Sequence, residues 1–208
     1  MQLEPGYGGK EDTAARLRGV CAMGLVQARY PEVMVELAHL LADRVLDARI
    51  AAVRAIVYAH QEAGEPLLRF KVLVGDDDHR VLYECFGALL KLAPESSLPF
   101  VAGFLWNERP AVAESAALAL GESRLAEAFE FLKAAWEKTL DPALRRAELL
   151  SIAMLRHGQA IEFLLSLVAD GTPAGAREAL AALEMYRHDE ELWRRVRRLA
   201  DERDDVEF

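Results

Sequence analysis

Residues 109–121 read Arg-Pro-Ala-Val-Ala-Glu-Ser-Ala-Ala-Leu-Ala-Leu-Gly, and the opening of that stretch recurs downstream. Asp-Pro-Ala-Leu-Arg begins at Asp141 and Thr-Pro-Ala-Gly-Ala at Thr172. An Asp or Thr ahead of Pro suits the start of a helix. Its side chain accepts from an orphan N–H, and proline fits a first turn whose N–H has no partner. Each copy continues into small residues and leucine, then a turn, then a second apolar helix.

Working outward from these copies places unit starts at Asp12, Val45, Asp78, Arg109, Asp141 and Thr172, in steps of 33, 33, 31, 32 and 31 residues. One column of the first helices reads Met23, Ile56, Leu89, Leu120, Ile152 and Leu183. The column before it reads Ala22, Ala55, Ala88, Ala119, Ser151 and Ala182. Large residues fill the seam within a unit, and small ones let neighbouring units approach. The second helices carry apolar residues at helical spacing: Val33, Leu37 and Leu40; Leu68, Val72 and Leu73; Phe129, Leu132 and Trp136; Ile161, Leu164, Leu165 and Val168. A helix pair cannot bury its apolar face alone, so the pairs must stack. The expected fold is an all-α solenoid of about six helix pairs, one domain over 12–200 with no sheet. A flexible leader (1–11) precedes it and a charged tail (201–208) follows.

Composition agrees with that reading. The chain has 208 residues, 52% of them hydrophobic and 28% charged, enough for a core and a solvated surface. Its formal net charge of −9 argues against nucleic acid as a partner, because phosphate binding relies on a basic face. The basic run Arg194, Arg195, Arg197 and Arg198 is followed at once by Asp201, Glu202, Asp204 and Asp205, and reads as a charged face on a terminal helix. No apolar run is long enough to span a bilayer, and the N-terminus lacks the pattern of a signal peptide. Cys21 and Cys85 read as small buried hydrophobes in a reducing compartment, which predicts a cytoplasmic protein.

The pattern Asp-Pro, two residues, an Arg or aliphatic residue, small residues, then Ala-Leu-Gly is clearest at Pro110, Val112, Ala116, Ala119, Leu120 and Gly121. It resembles HEAT-like repeats of the short type first associated with phycobilisome lyases, over about residues 12–200. The resemblance implies the fold; such repeats serve many functions. Deoxyhypusine hydroxylase-like members bind iron through His-Glu pairs. Here the five histidines are followed by Leu40, Gln61, Arg80, Gly158 and Asp189, so no such pair exists and no metal or cofactor is expected. DNA glycosylases of this class need a basic face that the acidic balance opposes. A bilin-lyase-like chaperone finds no residue here specific to a tetrapyrrole.

The candidate sites are the places where the repeat breaks its own pattern. Val45-Leu46 stands where Asp-Pro is expected, His79 replaces the proline seen at Pro110, Pro142 and Pro173, and Trp106-Asn107 precedes the fourth unit. All lie in turns between units, on one edge, as a binding or self-association patch or as residues packed under the next turn. Val57 replaces the glycine seen at Gly24 and Gly121, with Tyr58 and His60 following near a helix C-terminus. Glu148 occupies a column of small residues: Gly19, Ala52, Cys85, Ala116 and Ala179. If unpaired there it would have a raised pKa and could act as a base; otherwise Arg145 or a local helix rotation satisfies it. Such breaks are also what an engineered scaffold would carry. No nucleophile–base motif, metal box or phosphate loop is present. The leading expectation is a non-enzymatic scaffold docking a protein, or itself, through the inter-repeat edge or the concave second-helix face. The rival is a small-molecule site or weak enzyme using Glu148, His60 or His79 with Tyr58 or Cys85.

Overall fold

The computed structural model describes residues 3–6, 9–12, 14–203 and 205. Among them twelve α-helices follow one short hairpin. In chain order the helices are α1 (Ala14–Gln27), α2 (Val33–Leu41), α3 (Leu46–Ala59), α4 (Gly64–Val74), α5 (His79–Leu92), α6 (Pro94–Ala102), α7 (Pro110–Ser123), α8 (Ala128–Lys138), α9 (Pro142–Met154), α10 (Gly158–Asp170), α11 (Pro173–Leu183) and α12 (Glu190–Asp201). They fall into six pairs whose first helices begin where the sequence repeat does. The fold is an all-α solenoid of repeated helix pairs. The expectation of no sheet needs one correction. Strands β1 (Leu3–Gly6) and β2 (Gly9–Asp12) pair antiparallel within the stretch read as a leader, with Leu3 opposite Asp12. Of the tail read as charged, 204 and 206–208 lie outside the described residues.

The chain divides into two compact units, residues 1–97 and 98–208. In the first, α1 packs on α3 and α3 on α5, while α2 and α4 pack on the first helix of the following pair. In the second, α7 packs on α9 and α9 on α11, with α8, α10 and α12 behind them. The division falls inside α6, beside Pro99, whose ring removes one donor from the helix ladder.

Caps set the helix starts. Asp141 accepts from the N–H of Ala143 at 2.7 Å, Thr172 from Gly175 at 3.1 Å and Asp78 from Arg80 at 3.0 Å. Where the cap residue itself cannot accept, the residue two before it does: Asp43 takes the Val45 N–H at 2.8 Å and Asn107 the Arg109 N–H at 3.0 Å. Asp76 repeats that turn at Asp78, 2.9 Å.

The two columns behave as the spacing demands except at Met23, which is only half-buried. Ala22, Ala55, Ala88, Ala119, Ser151 and Ala182 are buried, and so are Ile56, Leu89, Leu120, Ile152 and Leu183. The close approach is tightest at Gly121, where a Cβ would lie 2.6 Å from the Ser151 carbonyl oxygen. Within each unit, arginines then tie one helix pair to the next. Arg49 donates to the Asp43 carbonyl at 2.9 Å and to Asp76 at 2.9 Å, so it grips the turn behind its own helix and the turn ahead. Arg145 holds the same repeat position, reaching back to the carbonyls of Trp136 and Thr139 at 2.9 and 3.1 Å and forward to Glu178 at 3.3 Å.

Candidate functional site

In the first unit the feature that stands out is α4. At about 100° per residue, Gly64, Leu68 and Val72 share one side of this helix, and all three are buried. The opposite side carries Ala63, Pro66, Phe70, Leu73 and Val74, every one exposed, with Phe70 at 64%, Leu73 at 69% and Val74 at 67%. A helix apolar all round is normally buried all round. Its charged residues sit on the flanks and are engaged at home. Glu65 accepts from Arg69 at 2.9 Å and from the Ser96 hydroxyl at 2.9 Å, and these bonds hold its carboxyl below its ordinary pKa. Lys71 pairs with Asp76 at 2.8 Å. Leu73, read from the sequence as packed, is therefore corrected to an exposed position.

On α2, Glu36, His39 and Leu40 line an open groove with Arg18, Cys21 and Leu25 of α1. Val35, also on α2, is exposed at 53%.

The candidates named from the sequence are placed as follows. Val45 and Leu46 are half-buried at the start of α3, and His79 is an exposed residue in the first turn of α5. Asn107 is the equivalent of Asp43 and Asp76, its oxygen spent on the turn. Trp106 closes a 3-10 turn (Gly103–Trp106), is 54% exposed, and has the Lys138 ammonium 5.5 Å from its ring centre. Leu140, two residues beyond that lysine and 92% exposed, was missed from the sequence.

Tyr58 lines a second open groove, about 580 Å³, with Val26, Gln27, Arg29, Tyr30, Pro31 and Gln61. His60 is the left-handed cap of α3, φ 48°, its N–H donating to the Val57 carbonyl. Arg29, Arg124 and Arg156 take the same conformation at the ends of α1, α7 and α9. His60 thus fills a slot that arginine takes at three other helix ends. His60 and His79 lie at opposite ends of α3 and α5, which run parallel, as the Arg49–Asp76 and Arg54–Glu84 pairs show. The two histidines do not converge.

Cys85 is fully buried, and burial pushes its thiol up to about 12, so it offers no thiolate. Cys21 is exposed, which corrects the reading of both cysteines as buried.

Glu148 is 0% exposed. Desolvation raises its pKa from 4.5 to about 7; a hydrogen bond from Thr139 at 2.9 Å and the charge of Arg145 oppose the shift. Arg145 does not pair with it directly, being committed to Glu178, two carbonyls and the face of Trp136 at 4.5 Å. The second Glu148 oxygen has no hydrogen-bond partner. Ser151 spends its hydroxyl on the Ala147 carbonyl at 2.7 Å. Among the described residues no cluster of His, Cys, Asp or Glu is placed to hold a metal. No described helix is long and apolar enough to cross a membrane.

A family model for HEAT repeats matches residues 66–153. Over that stretch the chain is similar to HEAT repeats. Fifteen solved chains match it. One of these is the crystal structure of an engineered protein, 19% identical, covering 84% of this chain and 89% of its own, with a TM-score of 0.44. That likeness is too distant to say what these repeats do. No curated protein sequence matches the chain.

Proposed function

We propose that this chain is a non-enzymatic scaffold whose second-helix face in the first unit docks another protein. The observation that carries the reading is the apolar outer side of α4, where Pro66, Phe70, Leu73 and Val74 stand in solvent at helical spacing. Contiguous exposed apolar surface of this kind marks interaction sites, whereas single exposed residues need no explanation. Trp106 and Leu140 would add a smaller contact in the turns of the second unit. The unpaired cysteines fit a reducing, cytoplasmic setting.

Panning a library of helical peptides against the full chain tests this. Enriched peptides should lose at least tenfold in affinity to Phe70→Glu, with the helical melting curve retained. A library that yields no binder, or binders indifferent to Phe70→Glu, would overturn the reading.

A second reading rests on the Tyr58 groove, which is large enough for a small molecule. It requires compounds whose binding shifts the melting temperature of wild type and not of Tyr58→Ala. Glu148 does not serve that reading, since a fully buried carboxylate meets no substrate from solvent.

A further inference from the structure

We infer that Glu148 is a proton-operated latch: losing its proton draws Arg145 off Glu178 and slackens the hold of α9 on α11. The repeat itself supplies the comparison. Arg49 and Arg145 hold the same position in their helices, and each reaches an acid ahead, Asp76 at 2.9 Å and Glu178 at 3.3 Å. Three residues after Arg49 stands Ala52, buried and uncharged. Three residues after Arg145 stands Glu148, equally buried. Positions three apart are neighbours on a helix surface. Of the two arginines, Arg145 alone has a second acid one turn along its own helix.

The two carboxyls compete for it on unequal terms. Glu148 accepts one bond, from the Thr139 hydroxyl at 2.9 Å, and its other oxygen has no partner. A protonated carboxyl tolerates that site; a carboxylate does not, because burial penalises charge left unpaired. The proton is lost near neutral pH, since burial raises the pKa to about 7. The Glu178 side chain is 15% exposed, so water can solvate it once Arg145 leaves. Glu148, at 0%, has no such recourse.

The other charges around α9 offer Glu148 nothing. The acids of α7, Glu114 and Glu122, are exposed. On α8, Glu130, Glu137 and Lys138 are exposed, and Lys133 lies over the Phe163 ring. On α10, Glu162 and Asp170 are exposed, and the His157 ring caps its own helix. On α11, Arg177 is exposed and Glu178 is the acid that Arg145 holds; on α9 itself, Arg146 is exposed. Arg145 is the charge that bears on Glu148. The exchange moves the cost of ionisation to the contact between α9 and α11 and does not remove it. Trp136 reports the move, because the Arg145 guanidinium lies 4.5 Å from its ring centre.

The experiment uses the full chain. The Trp136 indole N–H is followed in proton–nitrogen NMR spectra from pH 5.5 to pH 8.5, and is assigned by its loss in Trp136→Phe. Its resonance should shift with one midpoint inside that range in wild type, and should not shift in Glu148→Gln. Urea unfolding then reads the Arg145–Glu178 contact. Glu178→Gln should lower the urea midpoint at pH 5.5, where Arg145 holds Glu178, and leave it unchanged at pH 8.5. In a Glu148→Gln background the loss should be the same at both pH values. A Trp136 resonance that does not titrate would overturn the latch. So would a resonance that titrates while Glu178→Gln costs the same at both pH values, since Glu148 would then ionise without moving Arg145. Should Glu148→Gln fail to fold, Glu178→Gln on its own still separates these outcomes.

Discussion

Glu148→Gln keeps the shape of a buried side chain and the acceptor for Thr139 while removing the charge that burial penalises. The shift from 4.5 to about 7 sets the magnitude. At 1.36 kcal/mol per pKa unit, the ionised carboxylate costs the folded state about 3 kcal/mol. The sign follows from where each state holds its proton. Below pH 4.5 both folded and unfolded chains carry it, and Glu148 exacts no charge penalty. Between pH 4.5 and 7 the unfolded chain ionises while the folded one resists, so stability falls as pH rises. Above pH 7 the whole penalty is present. Urea unfolding of wild type and Glu148→Gln at pH 4.5 and pH 8 measures it. The variant's advantage should be larger at pH 8 by roughly 2–3 kcal/mol. An advantage that does not change with pH would refute the reasoning and show that the carboxylate is solvated or paired in solution.

Four further outcomes follow from packing, burial and hydrogen bonding. Gly121→Ala should destabilise by about 1–3 kcal/mol, because the added methyl meets the Ser151 backbone; Gly87→Ala, with open space, should stabilise by roughly 0.5–1 kcal/mol in the same urea assay. Arg145→Met should lose about 1–3 kcal/mol, since it leaves the Trp136 and Thr139 carbonyls and Glu178 without their donor. A thiol reagent should label Cys21 in the native protein and Cys85 only after unfolding, as mass spectrometry of labelled peptides would show.

The repeat was legible because each first helix writes its own start and its own columns. Pro110, Pro142 and Pro173 stand at the first helical position, and the alanine and leucine columns are buried as spacing requires. The α4 surface was not legible, for a physical reason. Leu67, Leu68, Phe70, Val72, Leu73 and Val74 put apolar side chains on every side of the helix, so periodicity cannot tell the packed side from the free one. Only the neighbouring helices decide that. Glu148 was visible as a carboxylate among small residues, yet its partner was not. Thr139 lies nine residues back, in a turn, and Arg145 is drawn off by carbonyls that the sequence does not locate. His60 was read as part of a break in the pattern near a helix C-terminus; comparing helix ends with Arg124 and Arg156 would have shown the recurring slot.

The central claim is that the outer side of α4 is where this scaffold meets its partner. Hydrogen–deuterium exchange of the full chain, free and saturated with a library-selected peptide, tests it most directly. Slowed exchange should concentrate in 64–74, with a smaller effect in 33–42, while the turns near Trp106 and the Tyr58 groove stay unchanged. Protection confined to those turns or that groove, with 64–74 exchanging as in the free protein, would contradict it.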